Sequence, residues 1–377
     1  MFQTLSKLLP ILVFVSIVEP KVKNNMNIES VQIEESMNSW FNPQKKGWLA
    51  GDVGHSIRIN DQKVVWIFGD SFFGNFENGR LKRDGLHINN CIAIQEKVND
   101  DNLKFYMGDV KNTRAFFPHP GNSFPGSFLW PTNGFFLDGI LYILCQSMDI
   151  DDTGFWTMSG TLIIEITNPT DNPNNWIKNY YDFKTKPWVG DSFQRQFHSA
   201  IFLEDPYIFF KGFNLENGIK KATLSRISME KFKKFKSSKY LEHLIESNGK
   251  DQWSSTDSEL KYLYEPGNTE SSIQYLQDFG IYVSTTYNAL DQNILINYAD
   301  NLEGPWSNPK IVYENPIIVC PDKTCIETYA VRLHPTFSEK TNELIISYIT
   351  SYQGEFNNIS IEQYRPRFIK VKFKLND

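Results

Sequence analysis

"GDVGHSIRINDQKVVWIFGDSF", residues 51–72, holds two short apolar runs around a polar turn, Asn60-Asp61-Gln62-Lys63. The runs alternate or are continuously apolar over strand lengths, so the stretch reads as a β-hairpin. Asp52 stands before the first run and Asp70 ends the second. In an antiparallel hairpin these two positions lie at the same open end, where cross-strand Cβ atoms are about 4.5–8 Å apart.

The same design recurs along the chain. "NGFFLDGILYILCQSM", "HSAIFLEDPYIFFKGF", "SSIQYLQDFGIYVSTTY" and "AVRLHPTFSEKTNELIISYITS" are each a strand, a tight polar turn and a strongly apolar strand. The second strands begin near Val64, Ile140, Tyr207, Ile281 and Leu344, about 60–80 residues apart. Further strand candidates follow the first four copies, and the chain ends on "FIKVKFKL", which alternates with period two. Helical periodicity is weak; the best helical stretch is "SKYLEHLIES" from Ser238. Five units of about four strands predict an all-β fold, a five-bladed β-propeller over 40–377, with two stacked sandwiches as the alternative.

Composition narrows the function. The chain has 377 residues, 41% of them hydrophobic, 15% aromatic and 22% charged, with a net charge of −6. That acidity argues against nucleic acid as a partner, because phosphate binding needs a basic face. The one basic cluster, "KFKKFKSSK" at 231–239, reads as a solvated loop or helix face. Lys7 precedes an apolar run over Leu8–Val18, the layout of a signal peptide or N-terminal anchor over 1–20, with 21–39 as a lead-in. A secreted, periplasmic or cell-surface monomer is expected, touching a membrane only if that segment is kept. Cys320 and Cys325, in "CPDKTC", are candidates for a disulfide, and Asn358 for a glycan; Cys91 and Cys145 sit in apolar strands as buried thiols. No cysteine or histidine spacing matches a zinc site, and no cofactor is expected, with a channel calcium ion left open.

In a propeller the starts of the inner strands meet at the channel mouth. Asp52 and Asp70 therefore belong to one mouth, and two close carboxylates push one pKa up, yielding an acid and a base near neutrality. Glycosidic bond cleavage requires such a pair. The other inner strands bring Asn133, His198, Glu270, Tyr329, Arg332 and His334 to that region, with His55 parallel to His198. Glu270 is a third carboxylate candidate. Trp48, Trp130 and Trp188 precede three of these strands and either stack on sugars or fill core between blades.

The segment "GWLAGDVGHSIRINDQKVVWIFGDSFFG" followed by "HINNCIAI" resembles the opening blade of a group of secreted five-bladed propellers related to glycoside hydrolases, which includes endo-D-arabinofuranosidases. "YADNLEGPWSNPKIVYE" resembles an outer-blade segment of arabinanase-like and fructosidase-like propellers, and "YAVRLHPTFSEKTNELIISYITS" their closing blade. The resemblance spans about residues 40–375. It implies that Asp52 and Asp70 form the acidic pair, and that Asn90 is the aligned amide where many relatives have His-Asn-Ser. The expectation is an exported glycoside hydrolase acting on a complex, furanoside-containing or other polysaccharide. The competing expectation is a carbohydrate-binding propeller without catalysis, which gains if the carboxyls are closed off from solvent.

Overall fold

The computed structural model describes residues 25–42, 46–77, 80–81, 86–109, 114–184, 195–288, 290–314, 326–352 and 364–376. Residues 1–20, Trp188, Cys320, Cys325 and Asn358 lie outside them.

The hairpin of the opening stretch is formed by His55–Arg58 and Val64–Phe68, paired antiparallel from His55↔Ile67 to Arg58↔Val64. Its turn is set by Asn60, whose Oδ1 accepts from the backbone N–H of Gln62 at 2.9 Å and of Lys63 at 2.7 Å. An Asn side chain mimicking a backbone turn in this way is why the residue suits the position. Every residue of Val64–Phe68 is buried. Val65 and Ile67 join one core cluster with Ile143 and Ile164, whereas Val64, Trp66 and Phe68 join another with Ile345 and Phe368. Successive strand residues face opposite ways, so a strand covered on both faces must be apolar throughout.

The other four hairpins are also present, with second strands Ile140–Ile150, Tyr207–Glu216, Ile281–Asn288 and Glu343–Tyr352. Each belongs to a sheet of four or five strands. These sheets run over 55–106, 128–182, 195–254 and 273–313, with the last built from 326–333, 343–352, 367–376 and 25–33. Apolar clusters fill the spaces between them in order. Phe135 and Leu144 of the second sheet meet Ile208 and Phe210 of the third; Ala222 and Leu224 meet Ile273 and Tyr282; Ile281 and Val283 meet Val331 and Ile346. A smaller sheet, Lys46–Gly51 with Ser71–Glu77, 80–81 and Leu86–Ile88, continues the first hairpin past its open end.

The structure differs from expectation in two places. The segment expected as a lead-in carries a strand, Asn25–Ile33, paired with Arg367–Asn376 from Asn25↔Asn376 to Ile33↔Ile369, and a short helix, Glu35–Trp40. Its Met26 is fully buried. "SKYLEHLIES" is not a helix: a 3₁₀ turn over Ser238–Tyr240 leads into the hairpin Glu242–Ser247 and Lys250–Ser254. Asn248 and Gly249, at φ 54° and 71°, supply the positive-φ turn that an Asn-Gly pair favours, and this local chemistry overrides the weak helical pattern. The basic cluster contributes to a helix, as one of its two readings expected: Met229–Phe235, capped by Ser228 and anchored by buried Phe232. Lys236 just beyond it pairs with Glu165 at 2.8 Å.

Cys91 and Cys145 are buried free thiols, as expected. No helix among the described residues is long and apolar enough to cross a membrane.

Candidate active site

Between the small sheet and the first hairpin the chain kinks at Val53 and Gly54, both at positive φ (68° and 56°). Across the kink the ladder is kept by two bonds, Asp52 N–H to Asp70 O at 3.1 Å and Gly69 N–H to Asp52 O at 3.2 Å. The two acids are thus opposed at the open end of the hairpin. A Cβ at Gly69 would run into Oδ1 of Asp52, so any larger residue there would have to displace that carboxyl.

Their surroundings differ. Oδ2 of Asp52 accepts from the phenols of Tyr329 at 2.9 Å and Tyr364 at 2.8 Å, while Oδ1 is shielded from solvent and has no partner. Burial, then the charge of Asp70, raises the Asp52 pKa to about 7; the tyrosine hydrogen bonds oppose the shift and the Glu270 charge adds to it. Asp70 is 6% exposed. Its Oδ1 accepts from Trp130 Nε1 at 2.9 Å and lies 3.4 Å from His87 Nε2. The hydrogen bond to Asp70 holds the His87 pKa above its ordinary value, against the opposing effect of burial.

A group of buried or part-buried charges lies within electrostatic reach of Asp52. Arg332 is fully buried, and its Nη1 donates to Asn133 Oδ1 and to Ser271 O, both at 3.1 Å. Its Nε and Nη2 have no partner. Burial lowers its pKa to about 10, and the charges of Glu270 and Asp52 work against that shift. Lys211, also fully buried, donates to Ser271 Oγ at 2.8 Å, and burial takes its pKa to about 7. Glu270 is part-buried and accepts from Thr269 Oγ1. A register shift between Tyr329 and Arg332, with Ala330 at φ 51°, turns the phenol toward Asp52 and the guanidinium toward Ser271. Bulges re-aim side chains in this way.

Several expected ligand-binding residues are instead committed to the scaffold. Asn90 is fully buried; it donates to Phe117 O and Leu129 O and accepts from Phe117 N–H, which leaves little for a ligand. Trp48 is in the core, stacked on Phe105 at 4.5 Å, not on a rim. His198 is clasped between Thr132 and Thr161, both at 3.0 Å, and His334 between Ser56 and Ser347, both at 2.7 Å. Burial lowers the pKa of both, to about 4 for His198, so these imidazoles are neutral struts. Asn133 ties one sheet to the next by donating to His198 O at 2.6 Å and Ser199 O at 3.2 Å. His55 has Nε2 3.4 Å from Gly134 O, and burial lowers its pKa to about 3. Trp130 remains beside the carboxylates.

Tyr364 and His87 were missed by sequence reasoning. Nothing local marks Tyr364, which lies far down the chain in "QYRPRF"; His87 opens "HINNCIAI", whose amide drew attention instead. Among the described residues no group of three or more His, Cys, Asp or Glu side chains is placed to hold a metal ion.

A family model described as a domain of unknown function, DUF5005, matches residues 34–373. The chain belongs to the DUF5005 family. No curated protein matches this DUF5005 chain. Among solved structures, the DUF5005 fold is similar to that of a candidate hydrolase from Bacteroides ovatus, with a TM-score of 0.70 at 16% identity over 95% of this chain and 97% of that one. At that identity the likeness speaks for the fold alone. More distant similarity links it to the α-L-arabinofuranosidase PaAbf62A of Podospora anserina, solved with cellotriose (TM-score 0.48, 14% identity, 88% of this chain and 98% of that one). A GH43_1 enzyme of Xanthomonas citri, solved with xylotriose, is comparable (TM-score 0.47, 10% identity, 90% and 93%).

Proposed function

We propose that this protein is an exported glycoside hydrolase on a five-bladed β-propeller, acting on a complex polysaccharide. The blade count rests on the apolar clusters between successive sheets, which run from the first sheet to the last and return to it through Trp66, Phe68 and Phe368. Export rests on the apolar run over Leu8–Val18.

One observation carries the activity: two carboxylates opposed on one hairpin mouth have unlike surroundings. Asp52, with a pKa of about 7, keeps its proton into the neutral range and serves as general acid. The tyrosines occupy Oδ2, so Oδ1 is the oxygen left to carry the proton, and its delivery requires substrate binding to uncover that shielded atom. Asp70, held by Trp130 and His87, is the carboxylate that attacks the anomeric carbon or activates water. Arg332 and Glu270 set the field around them. Hydrolysis of a panel of arabinan, xylan and related polysaccharides, followed by reducing-end detection, tests this reading. The wild type releases ends and Asp70→Asn releases almost none.

A binding protein without catalysis is the second reading, favoured by the low exposure of Asp70 and the shielding of Asp52 Oδ1. Tight binding of a glycan that is never cleaved would establish it.

A further inference from the structure

The strands Ile140–Ile150 and Trp156–Ile166 are joined by a tip that presents three large apolar side chains to solvent. Ile150 is 59% exposed, Phe155 74% and Trp156 45%. Exposed aromatic groups cost free energy in water unless a ligand covers them. The tip is also internally fixed. Oδ1 of Asp151 accepts from Thr153 N–H, Thr153 Oγ1 and Phe155 N–H at 2.9, 2.6 and 3.0 Å, and Asp151 N–H donates to Phe155 O at 2.9 Å. The turn backbone is therefore set before any ligand arrives, and the Trp156 ring is braced against Trp130.

The tip is continuous with the carboxylates. The Trp156 ring meets the Trp130 ring edge-on at 5.3 Å, and Trp130 donates to Asp70. A path of indoles thus runs from the candidate reaction centre to an exposed ledge. We propose that residues 149–156 form a platform on which a neutral glycan chain stacks beyond the sugar held at Asp52 and Asp70. The inference rests on the glycosidase reading and names its substrate class: a polymer of uncharged sugars. Sugar rings offer apolar C–H faces that lie against aromatic rings. Asp149, Asp151 and Asp152 crowd the tip, and no Lys or Arg is among residues 149–156, so uronic acids and anionic membrane surfaces are disfavoured.

The test measures affinity for two-unit and six-unit arabinan and xylan oligosaccharides by calorimetry and tryptophan fluorescence. The full chain carries Asp52→Asn so that the ligand survives. The parent binds at least one six-unit ligand more tightly than its two-unit counterpart. Phe155→Ala and Trp156→Ala each weaken six-unit binding by about three- to tenfold and erase that preference. Phe155→Tyr restores it, and unchanged melting temperatures show that the variants are folded. Equal affinity for both lengths, an unaltered preference in both alanine variants, binding of neither ligand, or adsorption to lipid vesicles through Phe155 overturns the platform. A wild type that hydrolyses polysaccharide yet shows no length preference loses only the platform. One that shows the preference and releases no reducing ends loses only the hydrolase reading.

Discussion

The phenol of Tyr364 donates to Asp52 Oδ2 at 2.8 Å across 312 positions of chain. With Tyr329 it is the counterweight to burial and to Asp70 in fixing the proton affinity of Asp52. Tyr364→Phe removes a donor to the charged form, so the pKa rises further. A general acid loses activity as pH climbs through its pKa, and the alkaline limb of kcat/KM therefore moves upward by about one pH unit. A pH profile whose limb stays in place rejects Asp52 as the acid.

Asp52 also carries a stability signature. Its pKa is raised in the folded state from 3.8 to about 7. Below the lower value both states are protonated and the group costs nothing. As pH rises through the window the unfolded chain ionises first, and the folded state loses stability until about pH 7. Asp52→Asn removes that loss. The variant matches wild type near pH 3.5 and exceeds it at pH 8 by up to about 4 kcal/mol in urea unfolding. A difference independent of pH contradicts the raised pKa.

Asp70→Asn is expected to lower turnover by about 10²- to 10⁴-fold while glycan binding survives, since the amide keeps the shape. The same change has a readout independent of activity. His87 owes its raised pKa first to Asp70, so its NMR titration midpoint falls in the variant. An unchanged midpoint shows that the pair is not formed in solution.

Arg332 couples stability to function. It is fully buried and donates to Asn133 Oδ1 and Ser271 O, and truncating a buried charge leaves such acceptors unpaired at about 1–3 kcal/mol each. Arg332→Met is expected to lower stability by about 2–5 kcal/mol and to lose activity, because its charge near Asp52 and Glu270 is gone. Denaturant titration beside the hydrolysis assay checks both halves.

Removing residues 1–34 deletes the outer strand of the last sheet. Met26 leaves the core and the Arg367–Asn376 edge is bared. Burying one such side chain contributes about 1.5–3 kcal/mol, and the strand adds its ladder, so the melting temperature drops sharply and the exposed edge promotes aggregation. A truncated chain that melts like the full one would show the strand to be dispensable.

The five hairpins were legible because each is local: a turn, an apolar partner strand and a boundary lie within about twenty residues. Pairing of Asp52 with Asp70 followed from the same hairpin. Trp130, Tyr329 and Arg332 were legible near the acids from their places on other inner strands, but Tyr364 was not, because it lies 312 positions from Asp52 and no local pattern encodes that meeting. Asn90 and Trp48 misled for a related reason. An amide and an indole look the same in sequence whether they face a ligand or backbone carbonyls and core. The Asn248–Gly249 turn was readable and was passed over in favour of a weak helical pattern.

The last sheet takes its strands from both ends of the chain, 25–33 and 326–376. During synthesis the first of these leaves the ribosome long before its partner exists, while the sheets in between can form in the order they are made. Tyr329 and Tyr364 belong to that late-arriving portion, so a nascent chain already folded through residue 314 holds Asp52 and Asp70 side by side without the two phenols that balance them. Asp52 reaches its final proton affinity only when the C-terminal strands dock, which makes completion of the polypeptide and maturation of the candidate site a single event.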